Sequence, residues 1–202
     1  MPETGFDVAR WDTAALATAW AAAEPFPHVI VDDVFTAATL TALRAALSRE
    51  PHWPERSEVV DGMASAPAFT QPALRTFAAA LSAPASLAAV GAVTGKTVTR
   101  AEVRSYVYPP GGYLLPHTDH RGDIGRQVAF AAYVHDDGTC GGGELELYAC
   151  TMDGDEITAT RATVCIPPRA NRLVLFDVSA RSLHQIREVT SGARIAMAGW
   201  FL

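Results

Sequence analysis

The residues in this chain that could do chemistry fall in two distant segments. One is Tyr113-Leu-Leu-Pro-His117-Thr-Asp119; the other runs from His184-Gln-Ile-Arg-Glu-Val to Gly192-Ala-Arg194. An H-x-D pair offers an imidazole and a carboxylate separated by one residue. On a strand such residues share a face, because successive side chains alternate, so both can reach one metal ion at a strand end. A lone His far downstream completes a set of three if the fold returns it to the first segment. Two imidazoles and one carboxylate on one face of an octahedron is a donor set for mononuclear Fe(II) with open positions. Zinc or manganese on the same ligands is the rival metal reading.

None of these signals is specific alone. A His beside an Asp is more often a hydrogen-bonded pair than a ligand pair, and the neighbouring His120 offers another ligand choice. Arg194 changes the balance. Inside a β-barrel it needs an anionic partner, because an unpaired buried charge is very costly. Its planar fork suits a carboxylate, and no acidic residue of the sequence is obviously placed to serve it. A ligand carboxylate is the expected partner; a surface Arg at the start of a strand is the plain alternative.

The elements that must bring these segments together can be read in order. With 202 residues the chain is expected to be one domain with a sizeable core, and 49% apolar with 19% charged residues is ordinary for a globular protein. Thr13 to Ala23 is alanine-rich and helix-favouring, and Pro25 and Pro27 stop it. His28 to Asp33 is a β-branched strand run. Thr36 to Arg49 carries Leu40, Leu43 and Leu47 at helical spacing behind a Thr cap. Two more helices are expected near Pro72–Leu81 and Ser86–Val93. Glu50 to Thr70, with Pro51, Pro54, Gly62 and Pro67, reads mostly as a mobile surface loop whose Trp53 and Met63 could cover a pocket.

From Thr97 helical spacing gives way to successive strands, at 97–108, 113–119, 126–135, 143–149, 162–166, 172–177, 182–188 and 192–201. Turns at Pro109 to Gly112, at Gly138, at Gly141 to Gly143, at Pro167-Pro168 and at Ser191-Gly192 separate most of them. That pattern predicts an α+β fold: a double-stranded β-helix, or jelly roll, over 97–202, with supporting helices in 1–96. In a jelly roll the strands of His117 and His184 lie side by side, and a hairpin across Ser191-Gly192 brings Arg194 back beside the metal. Parity puts Tyr113, Leu115, His117 and Asp119 on one face. It puts Glu102, Arg104, Tyr106 and Tyr108 on the interior face of the preceding strand. Ala196, Ala198 and Trp200 follow Arg194 inward, and Ala129 and Ala131 share the face of Tyr133. The expected pocket is roomy, walled by Trp200 and supplied with a cation by Arg104, which suits a small substrate carrying a carboxylate. Pairing of Arg104 with Glu102 or another acid is the plain alternative.

Other classes find little support. A net charge of −6 and a single lysine, Lys96, argue against a nucleic-acid binder. Cys140, Cys150 and Cys165 are odd in number and form no CxxC pair, so neither structural zinc nor a disulfide scaffold is expected. No run approaches the roughly 20 apolar residues of a membrane span, and the acidic N-terminus does not read as a signal peptide; a cytoplasmic protein is expected. Gly91 to Thr97 ends like a phosphate-binding loop, but its first Gly is one position too close, and a helix end is the plainer reading.

The half of the chain from Arg100 to Leu202 resembles the 2-oxoglutarate- and Fe(II)-dependent dioxygenases, in their prolyl-4-hydroxylase-like branch. The residues that carry the resemblance are Arg104-Ser-Tyr-Val-Tyr-Pro-Pro-Gly-Gly, His117-Thr-Asp119, Arg126 with Tyr133, and Gly142-Gly-Glu-Leu-Glu-Leu-Tyr148. They continue with Asn171 to Asp177, His184-Gln-Ile-Arg-Glu-Val, and Gly192-Ala-Arg194 with Trp200. Pro25 to Phe35 is similar to the family's entry strand and helix. The resemblance implies His117, Asp119 and His184 as iron ligands and Arg194 as the partner of the 2-oxoglutarate C5 carboxylate. It implies Tyr108 and Tyr133 as hydrogen-bonding residues for the co-substrate, with Leu145 and Leu147 lining its aliphatic part. Where the branch often has an aromatic residue, three before the first His, this chain has Leu114.

The implied reaction couples oxidative decarboxylation of 2-oxoglutarate by O2, giving succinate and CO2, to hydroxylation of an unactivated C–H bond; ascorbate is a candidate reductant. The carboxylate of Asp119 leaves no place for a halide, which favours hydroxylation over halogenation. Arg104, Tyr106 and Trp200 are the candidate substrate residues, for a small amino-acid-like or natural-product substrate. A protein substrate is the alternative, since Phe176 to Val189 is similar to relatives that hydroxylate a ribosomal protein. A non-oxygenase metal-binding jelly roll is the rival of a different class.

Overall fold

The computed structural model describes residues 6–122, 124–135 and 139–202. The turn expected at Gly138 lies outside the described residues. Four helices form where the sequence places them: α1 (Thr13–Ala22), α2 (Ala37–Leu47), α3 (Pro72–Leu81) and α4 (Pro84–Thr94). Asp12 and Thr36 cap α1 and α2 by accepting from the backbone N–H of Ala15 and Thr39. α3 and α4 each begin on a proline, whose missing N–H is not needed in a first turn. Gly95, left-handed at φ 72°, ends α4. Lys96 therefore sits at a helix end, where its ammonium donates to the Gln127 carbonyl at 2.9 Å and pairs with Asp177. Among the described residues no single helix is long and apolar enough to cross a membrane.

The strands are β1 (His28–Asp32), β2 (Trp53–Arg56), β3 (Val60–Ala64), β4 (Ala101–Tyr108), β5 (Tyr113–His117), β6 (Val128–Tyr133), β7 (Gly141–Gly142), β8 (Leu145–Asp153), β9 (Glu156–Ile166), β10 (Arg172–Asp177), β11 (His184–Ile186), β12 (Val189–Ser191) and β13 (Arg194–Phe201). Their order, β1-β10-β6-β13-β4-β3-β5-β11-β8-β9, is that of the expected jelly roll. One layer runs from β1 to β4 and the other from β5 to β9. Side-chain parity sorts the first layer into two cores. Phe130, Ala132, Leu173, Leu175 and Met197 pack outward against the helices. Ala129, Ala131, Tyr133, Val174 and Ala196 pack inward with Leu145, Leu147 and Ile186 of the second layer. Being covered on both faces, β6 is buried along its whole length.

Three expectations need correction. Residues 50–70 are not loop alone: β2 and β3 form a hairpin within them, and β3 pairs with both β4 (Met63 with Val107) and β5 (Val60 with Leu114). It thus joins the two layers. β8 and β9 are far longer than expected and meet at a turn with Gly154 at φ 60°. His184 and Arg194 are not joined by a hairpin. β12 pairs with β7, and the chain then crosses to the other layer, where β13 pairs with β4 and β6. Arg194 reaches the interior from the opposite wall.

Candidate active site

β11 lies beside β5 with His184 directly opposite His117, and Asp119 follows just beyond the end of β5. Ligand atoms of the three side chains lie within 4.8 Å of one another. His117 Nε2 is 3.9 Å and His184 Nε2 is 3.6 Å from the Asp119 carboxylate. Each ring is oriented from behind: Nδ1 of His117 meets the Leu115 carbonyl at 2.8 Å, and Nδ1 of His184 meets the Ser182 carbonyl at 3.0 Å. A carbonyl can only accept, so the proton sits on Nδ1 and Nε2 keeps its lone pair for a metal. His184 is buried, and burial first, then the neighbouring His117, pushes its pKa down to about 4. It is held in the neutral form that binds metal.

The pairing of β5 with β11 contains an extra residue. His184 faces His117 and Ile186 faces Leu114, so three steps on β5 match two on β11. This is a β-bulge, and it resets the alternation. Leu114 and His117 both line the cavity, while Leu115 turns outward and is 42% exposed. Tyr113 and Leu115 therefore do not share the ligand face as parity predicted, whereas Leu114, standing where relatives often carry an aromatic residue, does line the cavity.

Arg194 is buried, with its guanidinium carbon 5.3 Å from the Tyr108 ring centre and 5.1 Å from that of Tyr133. Its Nη2 donates to the Tyr133 hydroxyl at 3.0 Å, while its buried Nε has no partner and no described carboxylate pairs with it. Gly143 makes room for it: a Cβ there would lie 3.1 Å from the Arg194 Cβ. Burial pushes the Tyr108 pKa up to about 12, so this cavity-lining hydroxyl stays a neutral donor. Leu145 lines the cavity, but Leu147, opposite His184, is packed into the core and does not. Tyr133 likewise acts behind Arg194 rather than at the cavity wall. A buried cation with an open donor beside two imidazoles and a carboxylate fits a metal together with an anionic co-substrate.

The cavity has a volume of about 360 Å³. Tyr106 and Trp200 line it as expected, and Ala129, Ala131 and Ala198 give it width. Arg104 does not. It shares the face of Tyr106, but its Nε donates to the Ser65 carbonyl at 2.7 Å, and Glu102 pairs with Arg100 instead. A cation that Arg104 was expected to supply is supplied by Arg126, whose guanidinium lies 3.4 Å from the Trp200 ring centre and 3.8 Å from the Asp119 carboxylate; Arg121 and Arg194 line the cavity as well. Its buried Nε and the Trp200 indole N–H are both without partners. Sequence reading took Arg126 only as part of a motif; its position in the loop before β6 hides its direction. Glu55, from the β2–β3 hairpin, also lines the cavity and was missed with that hairpin. His120 is exposed, beside Thr118 and the β8–β9 turn, and stands outside the cluster of His117, Asp119 and His184.

The profile of the 2OG-Fe(II) oxygenase superfamily matches residues 102–202, half of the chain. The chain belongs to that superfamily. The superfamily is that of Fe(II)- and 2-oxoglutarate-dependent oxygenases, and the cluster of His117, Asp119 and His184 fits the metal such an enzyme would hold. The chain is 38% identical to the prolyl 3-hydroxylase OGFOD1 of Xenopus laevis over 91 residues, 44% of this chain but 17% of that protein. A prolyl-4-hydroxylase of Pseudomonas putida superposes with a TM-score of 0.71 at 22% identity, over 94% of this chain and 97% of that one. The 2-oxoglutarate-dependent epimerase SnoN of nogalamycin biosynthesis superposes with a TM-score of 0.68 at 16% identity, over 95% and 83%. A shared fold therefore does not choose among substrates.

Proposed function

We propose that this dioxygenase hydroxylates an unactivated aliphatic C–H bond of a small, carboxylate-bearing substrate, amino-acid-like or a natural product. In this reading His117, Asp119 and His184 hold Fe(II). Arg194, braced by Tyr133, holds the far carboxylate of 2-oxoglutarate, and Tyr108 donates to the co-substrate. The bound metal supplies O2 activation coupled to decarboxylation of 2-oxoglutarate. The side chains supply placement. Arg194 fixes one end of the co-substrate, Leu145 and Leu114 keep water from its chain, and Trp200 walls the space left for the substrate.

The observation that carries the substrate class is Arg126. Its contact with Asp119, at 3.8 Å, is too long for a hydrogen bond, and its buried Nε is unpartnered. A cation held flat on an indole with donors to spare calls for an anionic ligand group. The test is turnover of a panel of small carboxylates and their amides, read as succinate from 2-oxoglutarate and as products heavier by one oxygen atom. Carboxylates should outpace their amides, and Arg126→Gln should remove the difference.

A second reading is a proline-containing peptide or protein substrate. Trp53, Val59 and Leu115 are exposed, and the Val59 carbonyl accepts from the Leu115 N–H, so two of these apolar side chains adjoin the cavity mouth. Peptides in the same panel separate the two readings: faster turnover of a peptide than of any small carboxylate would favour the second.

A further inference from the structure

We propose that Glu55 recognises an ammonium group of the substrate, so that the molecule bound here is a zwitterion with a free amine. The proposal rests on the reading of a small carboxylate substrate given above and adds a second charge to it.

Glu55 stands opposite Gly62 across the β2–β3 pair. Residues directly opposite in an antiparallel pair point to the same side. A Cβ built on Gly62 would point at the Tyr108 ring, 3.0 Å from its Cδ1 and Cε1. The Glu55 side chain therefore leaves the hairpin toward Tyr108 and the cavity, which it lines. Burial is the main cause that raises the pKa of Tyr106 and Tyr108, and the Glu55 charge adds to the rise of both through space, in keeping with a carboxylate on the same cavity. Among the described residues, no side chain hydrogen-bonds to it or pairs with it.

Counting charge in the cavity leads to the same place. Asp119 is taken by the metal and Arg194 by the co-substrate. Glu55, Arg126 and the exposed Arg121 remain, and among the described residues no ion pair joins Glu55 to either arginine. Arg126 also acts on Tyr106 through space, so it and Glu55 flank that hydroxyl. A carboxylate ligand without an amine would meet Arg126 and leave Glu55 without a partner. A free amino acid satisfies both. A peptide, whose nitrogen is acylated, does not satisfy Glu55.

The experiment uses the iron-loaded enzyme with free α-amino acids, their N-acetyl derivatives and their amides, read as succinate and as oxygenated product. For the wild type, N-acetylation of a turned-over amino acid should lower kcat/KM by about tenfold or more. In Glu55→Gln that ratio should fall toward one, while the preference for acid over amide persists. In Arg126→Gln the pattern should reverse. Each ratio is taken within one protein, so a loss of folded enzyme cancels. Equal turnover of free and acetylated amino acids by wild type, or a ratio unchanged in Glu55→Gln, overturns the role of Glu55 and leaves the carboxylate reading standing. Absence of turnover of every small carboxylate overturns that reading, and this proposal with it.

Discussion

His117 and His184 stand opposite each other across β5 and β11, ring centres 4.3 Å apart, each with Nδ1 tied to the carbonyl two residues before it in the chain. The pair is thus built from two chain segments and set before any metal arrives. Replacing His184 or Asp119 by Ala should cost more than the roughly 10–100-fold in metal affinity or activity that loss of an outer-shell partner brings. Iron content after anaerobic loading and succinate formation measure it; full hydroxylase activity in Asp119→Ala would refute the ligand assignment.

Arg194 is a buried cation whose open donor awaits an anion. Arg194→Met removes a desolvated charge, so the variant without ligand should be as stable as wild type or more so. The same variant should lose stabilisation by 2-oxoglutarate, which in a competent site reaches about 2.7 kcal/mol at one hundred times Kd. Thermal melts of the anaerobic iron form with and without 2-oxoglutarate test both halves.

The depressed pKa of His184 has a consequence for the metal-free protein. Between about pH 6.5 and pH 4 the unfolded chain carries a proton on this side chain that the folded chain does not. Stability therefore rises with pH across that window and is lost as pH falls through it. Urea midpoints of the chelated protein at pH 7 and pH 5 should differ in that sense, and the difference should shrink in His184→Gln.

At Gly62 a methyl group is barely tolerated and a branched side chain is not, because the Tyr108 ring lies 3.0 Å from the Cβ position. Gly62→Val should displace the hairpin or the tyrosine and raise the KM for 2-oxoglutarate. Its stability cost should stay in the range of about 1–3 kcal/mol typical of overpacking. Gly62→Ala should do the same to a smaller degree, as saturation curves for 2-oxoglutarate would show.

The helices and most strands were legible because their signals are local: Thr36 caps α2, Gly95 ends α4, a β-branched run marks β1 and a short apolar run marks β10. The cluster of His117, Asp119 and His184 and the buried Arg194 were foreseen from residue type and order. What was not legible depends on partners distant in sequence. Trp53-Pro-Glu-Arg is a strand because β3 offers it an edge, not because of its own pattern. Arg104 faces the way parity says, but a long side chain ends where it finds an acceptor, here the Ser65 carbonyl. Arg126 comes from the loop before β6, where no periodicity constrains direction.

The extra residue on β5 makes metal binding a matter of strand phase as well as ligand identity. Leu115 and Pro116 occupy the slack between Leu114 and His117. Three steps along a regular strand would turn the His117 imidazole to the side opposite Leu114, away from the cavity. Only the bulge lets this odd spacing present both residues to the same face. A jelly roll that ran straight through this stretch would keep its arginines, and every ligand in its sequence, but lose one imidazole from the site.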